Sequence, residues 1–86
     1  MSDVVVYTTE PCSWCGRVKM LLKARDIEFQ EINLVGDPLG FQELAERTGM
    51  MTLPQVVIRG ELVGGYKETV AADESGRLEE LLAEAA

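Results

Sequence analysis

The chain has 86 residues, 47% of them hydrophobic and 27% charged, a composition for one globular domain spanning 1–86 and no more. Its formal charge of −7 argues against nucleic acid and anionic membrane surfaces as general partners. No apolar run approaches the ~20 residues needed to span a bilayer, and the first residues lack a basic and apolar leader, so a cytoplasmic address is expected.

The first strand is predicted over Val4–Thr8, a β-branched and aromatic run that is continuous rather than alternating, as in a strand covered on both faces. It stops at Glu10-Pro11. A helix follows over Ser13–Arg25, with Cys15, Val18, Leu21 and Leu22 on one face and Arg17, Lys19, Lys23 and Arg25 outward. Ile27–Ile32 reads as a second strand. Strand, helix and strand with short connections make a right-handed βαβ unit with parallel pairing.

A second helix is predicted from Asp37-Pro38, where Asp37 can cap and Pro38 suits the first turn, to Gly49. Its inner face is Phe41, Leu44, Ala45 and Thr48. Gln55–Arg59 and Leu62–Gly64 are two strands around Gly60-Glu61, a two-residue type II′ loop, hence antiparallel. The tail from Glu68 to Ala86 is helical with a break at Gly76. Val70 and Ala71 are expected inward before that break, and Leu78, Leu81, Leu82 and Ala85 after it. The order βαβ-α-ββ-α defines an α/β fold, a mixed four-stranded sheet flanked by helices.

Cys12 and Cys15 join the first strand to the first helix. N–H groups and the dipole at a helix N-terminus favour a thiolate, and CxxC cysteines there titrate below the free value of ~8.5. Cys12, preceding the helix, is the expected nucleophile. Cys15, on the inner face one turn later, would resolve the mixed disulfide. A structural staple gains little from so short a loop. Half of a zinc site is the second reading, but with no histidine and no further cysteine it would have to be shared between two chains, so no metal is expected in one. Ordinary buried thiols are the third.

Three segments together resemble the glutaredoxin family across residues 3–84: Val6-Tyr7-Thr8 leading into Cys12-Ser13-Trp14-Cys15, then Thr52-Leu53-Pro54-Gln55, then Gly64-Gly65-Tyr66. The resemblance implies a thioredoxin-like fold, a dithiol disulfide oxidoreductase, glutathione as electron donor, and disulfide-containing or glutathionylated proteins as clients of a monomer. It also implies a cis bond before Pro54, which would leave the Leu53 N–H and C=O facing the cysteines. An ordinary trans proline at a strand start is the alternative. By position, Gly65, Tyr66, Lys67 and Glu68 would hold the γ-glutamyl end of glutathione, Glu68 meeting its amine where the family usually has aspartate.

The sequence departs from the family where a lysine often precedes the first cysteine: Thr8, Thr9 and Glu10 stand there, and Thr9 occupies the expected glycyl-carboxylate site. Met50-Met51 likewise replaces a basic residue; the pair is either a soft contact surface or a loop with one core side chain. Arg47 and Arg17 are the substitutes the chain offers. Trp14 is expected to be a partly exposed platform, or else a plug against the sheet edge. The missing cations keep open a redoxin recharged by thioredoxin reductase or by another small thiol. Ser13 between the cysteines keeps open a [2Fe–2S] carrier built from Cys12 of two chains and two small thiols.

Overall fold

A computed structural model describes residues 3–84. Four strands, β1 (Val4–Thr8), β2 (Gln30–Asn33), β3 (Gln55–Ile58) and β4 (Glu61–Gly64), form one sheet in the order β2-β1-β3-β4. Around it lie α1 (Ser13–Ala24), α2 (Pro38–Thr48), α3 (Tyr66–Ser75) and α4 (Arg77–Glu84). β1 pairs parallel with β2 and antiparallel with β3, which pairs antiparallel with β4. The sheet is therefore mixed, and the fold is thioredoxin-like, as the element order predicts. None of the described helices is long and apolar enough to cross a membrane.

The sheet pleat puts Val4, Val6, Val56 and Ile58 on one face. There they meet Val18 and Leu22 of α1, Ala72 of α3, and Leu78 and Leu81 of α4 in a single buried cluster. Leu44 and Ala45 of α2 are buried outside it. Packing of α1 onto this face, through residues four apart, fixes how its first turn projects beyond the end of β1.

Four sequence-based expectations shift. β2 starts at Gln30 rather than Ile27, because Ile27 N–H still donates to Leu22 C=O at 2.9 Å and Asp26 is left-handed (φ 56°). Ile27 and Phe29 nonetheless pack on the core. The β3–β4 loop is Arg59-Gly60, not Gly60-Glu61. Glu61 pairs with Ile58, and both loop residues have positive φ (51° and 85°), the type I′ combination. The third helix begins at Tyr66, since Glu68 is its third residue and reaches back to cap it. The inward face of this helix is Thr69 and Ala72, leaving Ala71 exposed and Val70 half-buried. The break at Gly76 is real and left-handed, splitting the tail into α3 and α4, while Ala85 lies outside the described residues.

The end of β1 is pinned from two sides. Buried Thr8 donates its Oγ1–H to Glu31 Oε2 at 2.8 Å, and Lys19 of α1 reaches the same carboxylate at 3.1 Å. These bonds, Thr8's first and Lys19's second, hold the Glu31 carboxyl below its usual value. A lowered folded value means that the stabilisation is present above the ordinary carboxylate range and disappears as pH falls through the lowered value. Asp73, held down by its two-pronged hydrogen bond with Arg25, follows the same sign. Glu31→Ala should cost about 1 kcal/mol at pH 7, near the low end for an orphaned buried donor because water reaches the vacated space. A drop of about 4–8 °C in Tm follows for a domain of this size, shrinking as pH falls through the lowered value, and thermal melts over an acidic pH series check it.

Candidate active site

Thr9, Glu10 and Pro11 carry the chain from the end of β1 to Cys12, which is the N-cap of α1 in extended conformation (φ −155°, ψ 100°). An N-cap side chain faces the free N–H groups of the first turn. Here that side chain is a sulfur: Cys15 N–H donates to Cys12 Sγ at 3.1 Å. The two cysteines are joined as a disulfide, Cα to Cα 5.3 Å, so the structure shows the oxidised state. Their environments differ. Cys12 is half-buried at the surface, whereas Cys15 is 2% exposed against the core. In the reduced state a thiolate at Cys12 would keep the same N–H donor, which belongs to the backbone and survives opening of the disulfide.

The Met50–Pro54 loop faces the pair. The Leu53-Pro54 peptide is cis, and so is Glu10-Pro11, which the sequence reading does not anticipate. Leu53 N–H and C=O make no hydrogen bond with any described residue. Gln55 is missed by sequence reasoning. Its side chain is fully buried, and its Nε2 donates to Met50 C=O at 3.1 Å and Thr52 C=O at 3.0 Å, tying the loop to β3. The available signal was a glutamine opening an otherwise apolar strand, where a buried amide calls for polar partners. Its Oε1 is buried without a partner among the described residues, so the clamp is made by the amide nitrogen alone. Gln55→Leu should lower kcat/KM for disulfide reduction about tenfold by loosening the loop, while Cys12 alkylation by iodoacetamide keeps its rate. Parallel steady-state and alkylation assays check this.

Two grooves flank the disulfide, sharing Trp14, Thr52 and Leu53 as the ridge between them. The smaller, about 320 Å³, brings together seven of the residues singled out from sequence: Trp14, Leu53, Pro54, Gly65, Tyr66, Lys67 and Glu68. The larger, about 620 Å³, contains Cys12 and Thr9, so Thr9 shares a groove with Trp14 and Leu53 but not with the other five. Trp14 is 47% exposed, its ring 5.3 Å from that of Tyr66 and 4.7 Å from the Arg17 guanidinium carbon. It is a surface platform and not a plug. Arg17 is therefore engaged on Trp14, and neither Arg17 nor Arg47 lines either groove. Met50, half-buried, joins the smaller groove and Met51, 71% exposed, the larger, so the methionine pair is divided between the two.

The Gly64-Gly65 pair has a local reason. Gly64 has φ 128°, and a Cβ there would stand 2.6 Å from Glu68 Cβ. Glu68 occupies that room to place its Oε1 2.7 Å from Gly65 N–H, half of a capping box for α3. One carboxylate oxygen of Glu68 is thus committed to the helix, and the other has no partner among the described residues. Among the described residues, no three histidine, cysteine, aspartate or glutamate side chains gather to hold a metal ion. Among the described residues a single cysteine sulfur, that of Cys12, is accessible, too few for a cluster without a second chain and added thiols.

A reversible disulfide at a strand-to-helix junction, opposite a cis-proline loop in a four-stranded mixed sheet, defines a thiol–disulfide oxidoreductase of the thioredoxin-like class. A family model described as Glutaredoxin matches residues 4–63. Glutaredoxin 3 of Escherichia coli K12 is 37% identical over 82 residues, covering 95% of this chain and 99% of that protein. A glutaredoxin of Pseudomonas aeruginosa is 42% identical over 82 residues, covering 95% and 98%. The holo form of glutaredoxin C1 from Populus tremula x tremuloides superposes with a TM-score of 0.89 at 33% identity, over 99% of this chain and 87% of that one. A buckwheat glutaredoxin–glutathione complex gives 0.85 at 29% identity, over 96% and 78%. The chain belongs to the glutaredoxin family, and it is a disulfide oxidoreductase of the dithiol type.

Proposed function

We propose that this protein reduces protein disulfides and glutathione mixed disulfides with glutathione as donor, Cys12 being the nucleophile and Cys15 the resolving thiol. The observation that carries the assignment is the asymmetry of the pair: Cys12 Sγ is reachable and receives an N–H at 3.1 Å, whereas Cys15 is 2% exposed. With a client disulfide, the Cys12 thiolate attacks one sulfur, forms a mixed disulfide and expels the other sulfur as a thiolate that takes up a proton. Cys15, losing its proton, attacks Cys12 Sγ; the second client thiolate leaves, and the two-electron oxidation ends in the Cys12–Cys15 disulfide. With a glutathionylated client, the Cys12 thiolate attacks the glutathionyl sulfur and expels the client thiolate, which takes up a proton. The thiolate of a second glutathione then attacks that sulfur and releases glutathione disulfide and the Cys12 thiolate, so one cysteine suffices.

The smaller groove supports glutathione as donor. Gly65 opens α3, so N–H groups of its first turn face a carboxylate there, and the uncommitted Glu68 oxygen suits the adjacent amine. The buckwheat relative, similar over 96% of this chain, forms a complex with glutathione, which supports glutathione as the donor. The larger groove favours a second reading, because no cation lines it for the glycyl carboxylate. A redoxin recharged by thioredoxin reductase, or by another small thiol, would need none. Reduction of the oxidised protein by glutathione with glutathione reductase, against thioredoxin reductase alone, each followed by NADPH oxidation, decides between donors. Turnover in the first arm is expected, and turnover confined to the second would replace the donor.

A further inference from the structure

Two of the three described methionines stand beside the disulfide, and nothing in the thiol chemistry uses them. Met51 lines the groove that holds Cys12 and is 71% exposed, whereas Met50 lines the smaller groove and is half-buried. The third, Met20 of α1, is 72% exposed and lines neither. Gln55 Nε2 holds the carbonyls on either side of Met51, those of Met50 and Thr52, at 3.1 and 3.0 Å. The Met51 thioether is therefore displayed at the site from an anchored stretch of backbone. An accessible thioether is a target for peroxide, which converts an apolar side chain into a polar sulfoxide. The state of the cysteine pair decides when that happens. In the reduced protein the Cys12 thiolate attacks one peroxide oxygen and hydroxide leaves; Cys15 then displaces a second hydroxide from the sulfenic sulfur, and the disulfide closes. In the oxidised protein, the state this structure shows, both cysteine sulfurs are bonded to each other. Met51 is then the most exposed sulfur of either groove.

We infer that Met51 is a peroxide-dependent modification site: its sulfoxide, formed while Cys12 and Cys15 are a disulfide, slows later reduction of protein clients. The inference rests on the proposed reduction of protein disulfides and adds a regulation to it. The step is a two-electron oxygen transfer. A lone pair of the Met51 sulfur attacks one oxygen of hydrogen peroxide, the O–O bond breaks and an S–O bond forms. The departing hydroxide takes the proton of the transferred oxygen and leaves as water. The consequence follows from the neighbours. A client sulfur reaches Cys12 past the walls of this groove, and Leu34, Phe41 and Leu53 beside Met51 are apolar. A sulfoxide among them holds water, so a client that covers it loses an apolar contact and must desolvate a polar group.

The test treats the oxidised full-length protein with hydrogen peroxide, removes the excess with catalase and locates sulfoxides by tandem mass spectrometry. Met51 and Met20, matched in exposure, should oxidise at rates within about threefold of each other, and Met50 at least about fivefold more slowly. The disulfide is then opened briefly with dithiothreitol. After desalting, reduction of a disulfide-linked dimer of Gly-Phe-Cys-Leu-Gly is followed in single turnover by quenched flow. Treated wild type should be about three- to tenfold slower than untreated, and methionine sulfoxide reductase should restore the rate. Met51→Leu has no thioether there, so the same treatment should slow it less than about 1.5-fold although its Met20 is oxidised. Met51→Gln, an uncharged polar mimic of the sulfoxide, should match treated wild type without any peroxide. An equal slowing of Met51→Leu, Met51 no more oxidised than Met50, or a fully oxidised Met51 with an unchanged rate would overturn the site. Each of those results leaves the oxidoreductase reading intact. Failure of the untreated protein to reduce the peptide would instead sink the protein-disulfide reading, and the regulation with it.

Discussion

Cys12→Ser should lose all thiol exchange, by at least about a thousandfold, because no other nucleophile stands at the N-terminus of α1. Cys15→Ser should behave differently. The Cys15 N–H that donates to Cys12 Sγ is a backbone group and persists in the variant, so the Cys12 thiolate keeps its donor. Turnover of glutathione mixed disulfides should continue, whereas protein clients should accumulate as covalent adducts on Cys12, visible by mass spectrometry. Cys15 is 2% exposed, and a serine hydroxyl there lacks the thiol's tolerance for an apolar site. Cys15→Ala serves as the second variant, so that a folding defect is not mistaken for a lost resolving step. Substantial activity in Cys12→Ser, or preferential alkylation of Cys15 in the reduced wild type, would reverse the roles.

Glu68 gives the second large effect, and the structure changes how it must be tested. Its Oε1 caps Gly65 N–H at 2.7 Å, so Glu68→Ala removes a helix cap as well as any ligand contact. Glu68→Gln separates the two, since the amide oxygen can still accept from Gly65 while the charge is gone. If the free oxygen of Glu68 meets the glutathione amine, both variants should lose about ten- to a hundredfold in kcat/KM for glutathione mixed disulfides. That is the scale of one charge-assisted hydrogen bond, about 1.5–3 kcal/mol. Only the alanine variant should also lose stability, by roughly 1 kcal/mol through the cap. Cys12 alkylation should be unchanged in both, because Glu68 belongs to the smaller groove and Cys12 to the larger. Two silent variants alongside efficient reduction by thioredoxin reductase would remove glutathione as donor and leave the CxxC chemistry standing.

The sequence by itself determined the elements and the reactive pair. The Val4–Thr8 run, the period of Val18 and Leu22, and the Asp37-Pro38 and Gly49 stops are local signals, and each element falls where its own residues place it. The CxxC position at the start of α1 follows from the same local grammar. Where the reading slipped, the deciding interaction was also local but involved a side chain that pattern rules do not see. Glu68 reaching back to Gly65 starts α3 two residues early, and Arg59 adopting positive φ moves the hairpin loop. Tertiary structure alone decided what surrounds the sulfur. The Trp14 ring of α1 meets the Tyr66 ring of α3 at 5.3 Å, and the cis-proline loop comes to line the same groove as Cys12. The division of the site into one groove at α3 and another at α2 depends on elements far apart in sequence meeting at one ridge, Trp14 and Leu53. Periodicity reports which face of an element is buried, but it carries no information about which neighbour's polar group or cavity that face will meet.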